Sequence, residues 1–135
     1  MSAEILIIDD NSDIREILND LLIEAGYSTR LAANYNQALT EIDKKLPDIA
    51  IIDVKLDKGD NDGIELLNHI KKKNEDIPVI IISGHADIDM AIKSLKSGAF
   101  EFIQKPFDKD RLMNFIKRAV ENIHLINENK ILKNK

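Results

Sequence analysis

The chain has 135 residues, 44% of them hydrophobic, which suits one domain whose core is large enough to need no covalent staples. It holds no cysteine, so disulfides, thiolate metal sites and cysteine nucleophiles are excluded. Its 19 basic and 24 acidic residues give a formal charge of −5, which argues against direct nucleic-acid binding by this chain. No apolar run approaches the roughly 20 residues of a membrane span. Met1-Ser2-Ala3-Glu4 lacks the basic-then-apolar pattern of a signal peptide, so a soluble cytoplasmic protein without membrane contact is expected.

In chain order, short apolar runs alternate five times with helical patterns. Ile5-Leu6-Ile7-Ile8 reads as a fully buried parallel strand and stops at Asp9-Asp10. Ile14, Ile17, Leu18, Leu21, Leu22 and Ala25 recur at spacings of 3 and 4 and predict a helix. Asp13 and Glu16 have capping-box spacing at its start, and Gly26 supplies its stop. Residues 27–32 read as a weaker second strand. Ala38, Leu39, Ile42 and Leu46 give a helix ended by Pro47. Ile49-Ala50-Ile51-Ile52 is a third strand stopped by Asp53. After a polar loop and Gly63, a helix with Ile64, Leu67 and Ile70 on one face ends in Lys71-Lys72-Lys73. Pro78 opens a fourth strand, Val79-Ile80-Ile81-Ile82, which ends at Ser83-Gly84. Ile88, Ala91, Ile92 and Leu95 define the next helical face, with Gly98 as its cap. Residues 101–104 form a short fifth strand before Lys105-Pro106. A last helix starts near Asp108 and uses Leu112, Phe115, Ile116, Ala119 and Val120.

Strict alternation implies one α/β domain, a doubly wound (βα)5 parallel sheet with right-handed crossovers and helices on both faces. Ligand sites of such sheets lie beyond the carboxyl ends of the strands. The residues found there are Asp9, Asp10, Asp53, Ser83 and Lys105. Converging carboxylates raise one another's pKa and call for a cation among them. Oxygen donors without His or Cys suit Mg²⁺ or Mn²⁺ rather than zinc. Carboxylates, a hard dication, a lysine and a hydroxyl around one point are also what phosphoryl transfer to an aspartate needs. The plainer readings are a strand terminator for Asp53, a helix cap for Asp9, a turn residue for Ser83 and a surface lysine for Lys105. Five polar positions at the ends of the right elements favour the site.

With Asp53 in "IIDVKL", Ser83 in "IISGH" and Lys105 in "FIQKPF", residues 4 to about 120 resemble the receiver domains of bacterial two-component response regulators. The resemblance implies the flavodoxin-like, CheY-like fold with strand order 2-1-3-4-5 and a cis bond before Pro106. It implies that Asp53 accepts a phosphoryl group from a phosphohistidine on a sensor histidine kinase. Asp10 and Asp53 would bind Mg²⁺ directly, Asp9 would hold it through water, and the backbone carbonyl of Lys55 would complete the protein ligands. Lys105 would pair with the phosphoryl oxygens, and Ser83 would hydrogen-bond one of them. Phe102 matches the aromatic switch position, beside its plainer reading as a core residue. Lys55 and His85, each two residues after a site residue, match positions that line the path of attacking water and tune dephosphorylation.

The loop 57–63 invites a calcium-loop reading that fails, because aligning Gly63 at position six puts Lys58 and His69 where carboxylates are required. Ten positions separate Asp53 from Gly63 where eight is usual in the family. This loop, with "ISGH" and "GAFEFIQKPF", is most similar to nitrogen-regulation-type activators of the NtrC and NtrX group, NtrX particularly. In those, ATPase and DNA-binding domains follow the receiver, which implies a transcriptional output. The expected organisation is a receiver domain over 1–121 and a C-terminal helical extension or linker over 122–135. Ile116, Ala119, Ile123, Ile126 and Lys130 have the spacing to continue the last helix as a coiled coil, against the alternative of a frayed polar tail from Asn127. A homodimer through the fourth helix, fifth strand, fifth helix or this extension is expected. His69 and His124 are expected at the surface without partners. The rival readings are a phosphate-independent pseudo-receiver and a dehalogenase-type phosphatase, which lacks its second acid because Lys55 stands there.

Overall fold

The computed structural model describes residues 3–56, 62–84 and 87–133, the last six by their backbone alone. The elements alternate as expected: β1 (Glu4–Ile8), α1 (Ser12–Glu24), β2 (Ser28–Ala32), α2 (Tyr35–Lys44), β3 (Ile49–Asp53), α3 (Asp62–Lys73), β4 (Val79–Ser83), α4 (Ile88–Lys96), β5 (Glu101–Gln104) and α5 (Lys109–Lys133). All neighbouring strands are parallel, in the order β2-β1-β3-β4-β5. The expected doubly wound sheet is therefore observed.

Side-chain alternation divides the core in two. Leu6, Ile8, Ile52 and Ile81 face α2 and α3 through Ile42, Leu66, Leu67 and Ile70. Ile5, Ile7, Ile51, Ile80 and Ile82 face α1 and α5 through Leu18, Leu22, Leu112 and Ile116. Continuous apolar runs rich in isoleucine form the three central strands because both faces are covered, and a strand buried on both faces has no polar side to show.

Local signals explain most boundaries. Gly26 and Gly98 have φ of 97° and 108°, the left-handed region that glycine enters without strain, and they end α1 and follow α4. Asp108 Oδ1 accepts the Asp110 N–H at 2.9 Å at the start of α5. The capping box expected from Asp13 and Glu16 is not the cap of α1. Asn11 is, its side chain accepting from the N–H groups of Asp13 and Ile14 at 2.9 and 3.2 Å. α1 consequently begins two residues after the Asp9-Asp10 pair.

Expectations for α4 and His69 change, and α5 takes one of the two forms left open for its end. The buried residues of α4 are Ala91 and Ser94, while Ile92 and Leu95 are 44% and 37% exposed. Small residues let this short helix lie close to the sheet, and the Ser94 hydroxyl is satisfied internally by Met90 O at 2.9 Å. Helix α5 continues to Lys133 rather than fraying from Asn127. On its presumed coiled-coil stripe, Ile116 and Ala119 are buried in the domain's own core and Ile123 packs against it. His69 is not unpartnered: its Nε2 lies 3.2 Å from Asp43 Oδ1, an atom that Lys73 also approaches at 3.3 Å, which ties α2 to α3. His124 is exposed as expected.

Adjacent residues of α1 test the layer assignment. Leu22 is fully buried and Ile23 is 54% exposed. Urea unfolding of Leu22→Ala is expected to lose about 2–5 kcal/mol, and Ile23→Ala less than about 1 kcal/mol. Similar losses at both positions would contradict the orientation of α1.

Candidate functional site

β1 and β3 are neighbours with Ile8 opposite Ile52, so Asp9 and Asp53 leave the sheet side by side. Carboxylate oxygens of Asp9, Asp10 and Asp53 lie within 4.8 Å of one another. Asp9 and Asp53 are buried and Asp10 is exposed, which sets two charges at the floor and one at the mouth. Lys105 follows β5, and its N–H donates to Ser83 O at 2.8 Å. From there its ammonium reaches across β4 to Asp53 Oδ2 at 3.0 Å and Asp9 Oδ2 at 3.4 Å. The Lys105–Pro106 bond is cis.

The backbone orients the acids. Asp9 Oδ1 accepts the Asn11 N–H at 2.9 Å, and Asp53 Oδ1 accepts the Lys55 N–H at 3.2 Å. Each carboxylate thus has one oxygen held by its own chain and the other turned toward Lys105. Asp9 Oδ2 has an ion-pair distance to Lys105 without hydrogen-bond geometry. It and Ser83 Oγ are buried without a hydrogen-bond partner among the described residues. Buried polar atoms left without a hydrogen bond are costly, and two of them at one site leave polar groups that a bound cation or anion could use.

Burial, and next the nearby charge of Asp9, push the Asp53 carboxyl up from 3.8 to about 6, although Lys105 pulls the other way. Burial lowers the Lys105 ammonium, but the hydrogen bond and charge of Asp53 together with Asp9 outweigh it and leave its pKa raised. At neutral pH Asp53 is therefore chiefly ionised, and its oxygen could serve as a nucleophile without a separate base.

Of the residues expected at the site, Asp9, Asp10, Asp53, Lys105 and, through its amide, Lys55 come together. Ser83 ends the strand between Asp53 and Lys105. Phe102 lies on the same face of the sheet as Ser83, since Ile81 pairs with Phe102 and Ser83 with Gln104. It is half-buried, against the core cluster that also receives Met90 and Ala99. His85 and most of the loop rejected as a calcium site lie outside the described residues. Sequence reasoning missed Arg15, whose Nη1 donates to Asp9 O at 2.7 Å and fastens the first acid from α1. An arginine among the polar residues of an amphipathic helix carries no signal of that role.

A family model described as "Response regulator receiver domain" matches residues 5–117. The chain belongs to the response regulator receiver family. It is 41% identical over 133 residues to the nitrogen assimilation regulatory protein NtrX of Azorhizobium caulinodans, a match covering 98% of this chain and 29% of that protein. The crystal structure of NtrX from Brucella abortus in complex with ADP superposes with a TM-score of 0.89 at 39% identity, covering 98% of this chain and 30% of that one. A response regulator receiver domain protein from Clostridium thermocellum gives a TM-score of 0.85 at 34% identity, covering 92% of this chain and 98% of that one. The chain thus spans under a third of the NtrX proteins it matches. It is an NtrX-like receiver domain of the two-component type. No helix among the described residues is long and apolar enough to cross a membrane.

The raised Asp53 pKa gives a stability prediction with a definite sign. Its carboxyl titrates higher when folded than unfolded, so the stability linked to it is fully present below pH 3.8 and is lost as pH rises through about 6. Asp53→Asn removes that loss. Without divalent metal, the variant is expected to exceed wild type by about 3 kcal/mol at pH 8. The difference should vanish near pH 4. Parallel stability curves for the two proteins across that range would contradict the electrostatic account of Asp53.

Proposed function

We propose that this chain, over residues 1–121, is a phosphoacceptor module that takes a phosphoryl group on Asp53 from a sensor histidine kinase and converts it into a changed surface. It works in the cytoplasm as a signalling element rather than a metabolic enzyme. It promotes its own phosphorylation and slow dephosphorylation. Residues 122–135 are read as a helical extension or linker, and the output as control of transcription by domains beyond this chain. The observation that carries the reading is the set of three carboxylates within 4.8 Å, with Lys105 bridging Asp53 and Asp9.

The donor set fits Mg²⁺ by its oxygen-only chemistry and by a buried Asp9 oxygen that Lys105 faces at 3.4 Å without a hydrogen bond. Asp10, Asp53 and the carbonyl of Lys55 would hold it, with Asp9 acting through water; Mn²⁺ would suit the same donors. Bound there, the ion supplies charge neutralisation for incoming phosphoryl oxygens. The protein supplies the rest. Asp53, ionised at neutral pH, attacks the phosphorus; an O–P bond forms as the P–N bond of the phosphohistidine breaks, and the electron pair departs on the imidazole nitrogen. Lys105 stands where charge develops on the transferring group, and the unpaired Ser83 hydroxyl is available to one phosphoryl oxygen. An aspartyl phosphate carries about −1.5 to −2 charges where the carboxylate carried one. Ser83 drawn toward it would leave space for Phe102, on the same face, to turn inward and alter the surface of α4 and β5. The exposed Ile92 and Leu95 of α4 and Leu125 of α5 support homodimerisation through α4, β5, α5 or the C-terminal helix.

Acetyl phosphate tests the reading without a kinase. Intact mass spectrometry is expected to record one added phosphoryl group in wild type with Mg²⁺, and none without Mg²⁺ or in Asp53→Ala. Folded wild type that binds Mg²⁺ and takes no phosphoryl group would favour the phosphate-independent pseudo-receiver instead.

A further inference from the structure

The first turn of α3 rests on the peptide that follows Asp53. Gly63, the second residue of α3, is buried, and its N–H donates to Val54 O at 3.0 Å. A Cβ at this position would stand 2.5 Å from Val54 Cα, 2.6 Å from Asp53 O and 2.8 Å from Val54 O. All three are backbone atoms, which cannot swing aside as the end of a side chain does. Gly63 does not have the positive φ of Gly26 and Gly98, so the space it leaves open, rather than a special conformation, is what the site uses.

The same peptide is held from its other side. Val54 N–H donates to Ile82 O at 2.9 Å, continuing the β3–β4 ladder one residue beyond Asp53, and the Val54 side chain is fully buried. Bonded to β4 through its N–H and to α3 through its carbonyl, Val54 has one seat. The Asp53 carboxylate and the Lys55 amide that orients it flank that seat directly.

We infer that Gly63 is a positioning residue for phosphoryl transfer: by lacking a side chain it lets α3 abut the phosphoacceptor's own peptide, fixing where the Asp53 carboxylate and the Lys55 carbonyl stand relative to Asp9 and Asp10. The inference rests on the phosphoacceptor reading of Asp53. Relieving a contact of 2.5 Å to ordinary van der Waals distance needs a shift of about 1 Å, and misplacements of that size cost about 10²-fold in positioned reactions.

The test compares wild type, Gly63→Ala and Leu66→Ala for the rate of acetyl phosphate phosphorylation per folded molecule at saturating Mg²⁺, with the folded fraction read from NMR peak intensities. Leu66 is buried on the same helix in the core cluster that includes Val54, but trimming it opens space rather than pressing on the backbone, so Leu66→Ala reports general destabilisation and should stay within about twofold of wild type. Gly63→Ala is expected to fall about 10- to 100-fold. If it keeps a rate within about twofold of wild type, or if Leu66→Ala falls equally, the inference is overturned while the phosphoacceptor reading stands. If wild type takes no phosphoryl group, both fall together. Should Gly63→Ala leave too little folded chain, a semisynthetic ester replacing the Gly63 N–H adds no bulk and turns the bond to Val54 O into a repulsion between two oxygens. It is expected to lose about tenfold, and a wild-type rate in the ester would overturn the inference.

Discussion

Two carboxylates buried side by side at the ends of adjacent strands are the constraint around which this domain is arranged. Parallel pairing of β1 with β3 leaves Asp9 and Asp53 no other direction, and Asp10 adds a third charge at the mouth. One ammonium, Lys105, answers them from the far side of β4. Three carboxylates against one lysine leave an excess of two negative charges, which is the charge of a hard dication. The raised pKa of Asp53 expresses its burial first, and then the neighbouring charge of Asp9, as proton affinity. The ordinary parts of the fold serve to hold this arrangement in place. Isoleucine runs cover both faces of the sheet, Asn11 starts α1 immediately beyond the acids, and Arg15 ties down the Asp9 carbonyl.

On the proposed phosphoacceptor reading, the arrangement also accounts for how the site would store information rather than merely bind an ion. A domain that keeps ionised Asp53 at a cost to its stability gives up part of that stability for a reactive oxygen. Any ligand that removes the imbalance shifts the molecule toward the conformation that holds it better, by its difference in affinity for the two. The elements that this reading links are close at hand: Ser83 and Phe102 share a face, and α4 buries the small residues Ala91 and Ser94 and exposes Ile92 and Leu95. An element seated by Ala91 and Ser94 has less apolar burial to lose on moving than α3, seated by Leu66, Leu67 and Ile70.

Much of this is legible in the sequence because a parallel sheet is read from its own strands. Apolar runs of four ending at Asp9, Asp53 and Ser83 specify both buried strands and the edge where chemistry collects. What periodicity handled poorly were phases and ends. In α4 the stripe through Ile88, Ala91, Ile92 and Leu95 and the stripe through Ala91 and Ser94 lie less than a third of a turn apart. Hydrophobicity picks the former, whereas close packing takes the latter. At α1 the capping box competed with a simpler Asn11 cap, and polar residues crowded from Asp9 to Asp13 blur that choice. The polar composition after Asn127 suggested an end to α5, yet a helix already nucleated and packed propagates through residues of fair helix propensity to Lys133. Long-range polar contacts such as Arg15 to the Asp9 carbonyl or His69 to Asp43 leave no periodic trace, since each depends on how two elements are set against each other.

The central claim is that the acid cluster is a dication site held short of neutrality by Lys105. A Mg²⁺ titration followed by ¹H–¹⁵N NMR at pH 7.5 tests it most directly. The account predicts saturable one-to-one binding, with the largest shifts at the amides of Asp10, Asp53 and Lys55, and marked weakening in Asp53→Asn. Shifts scattered over the surface acids without saturation, or equal affinity in Asp53→Asn, would contradict it.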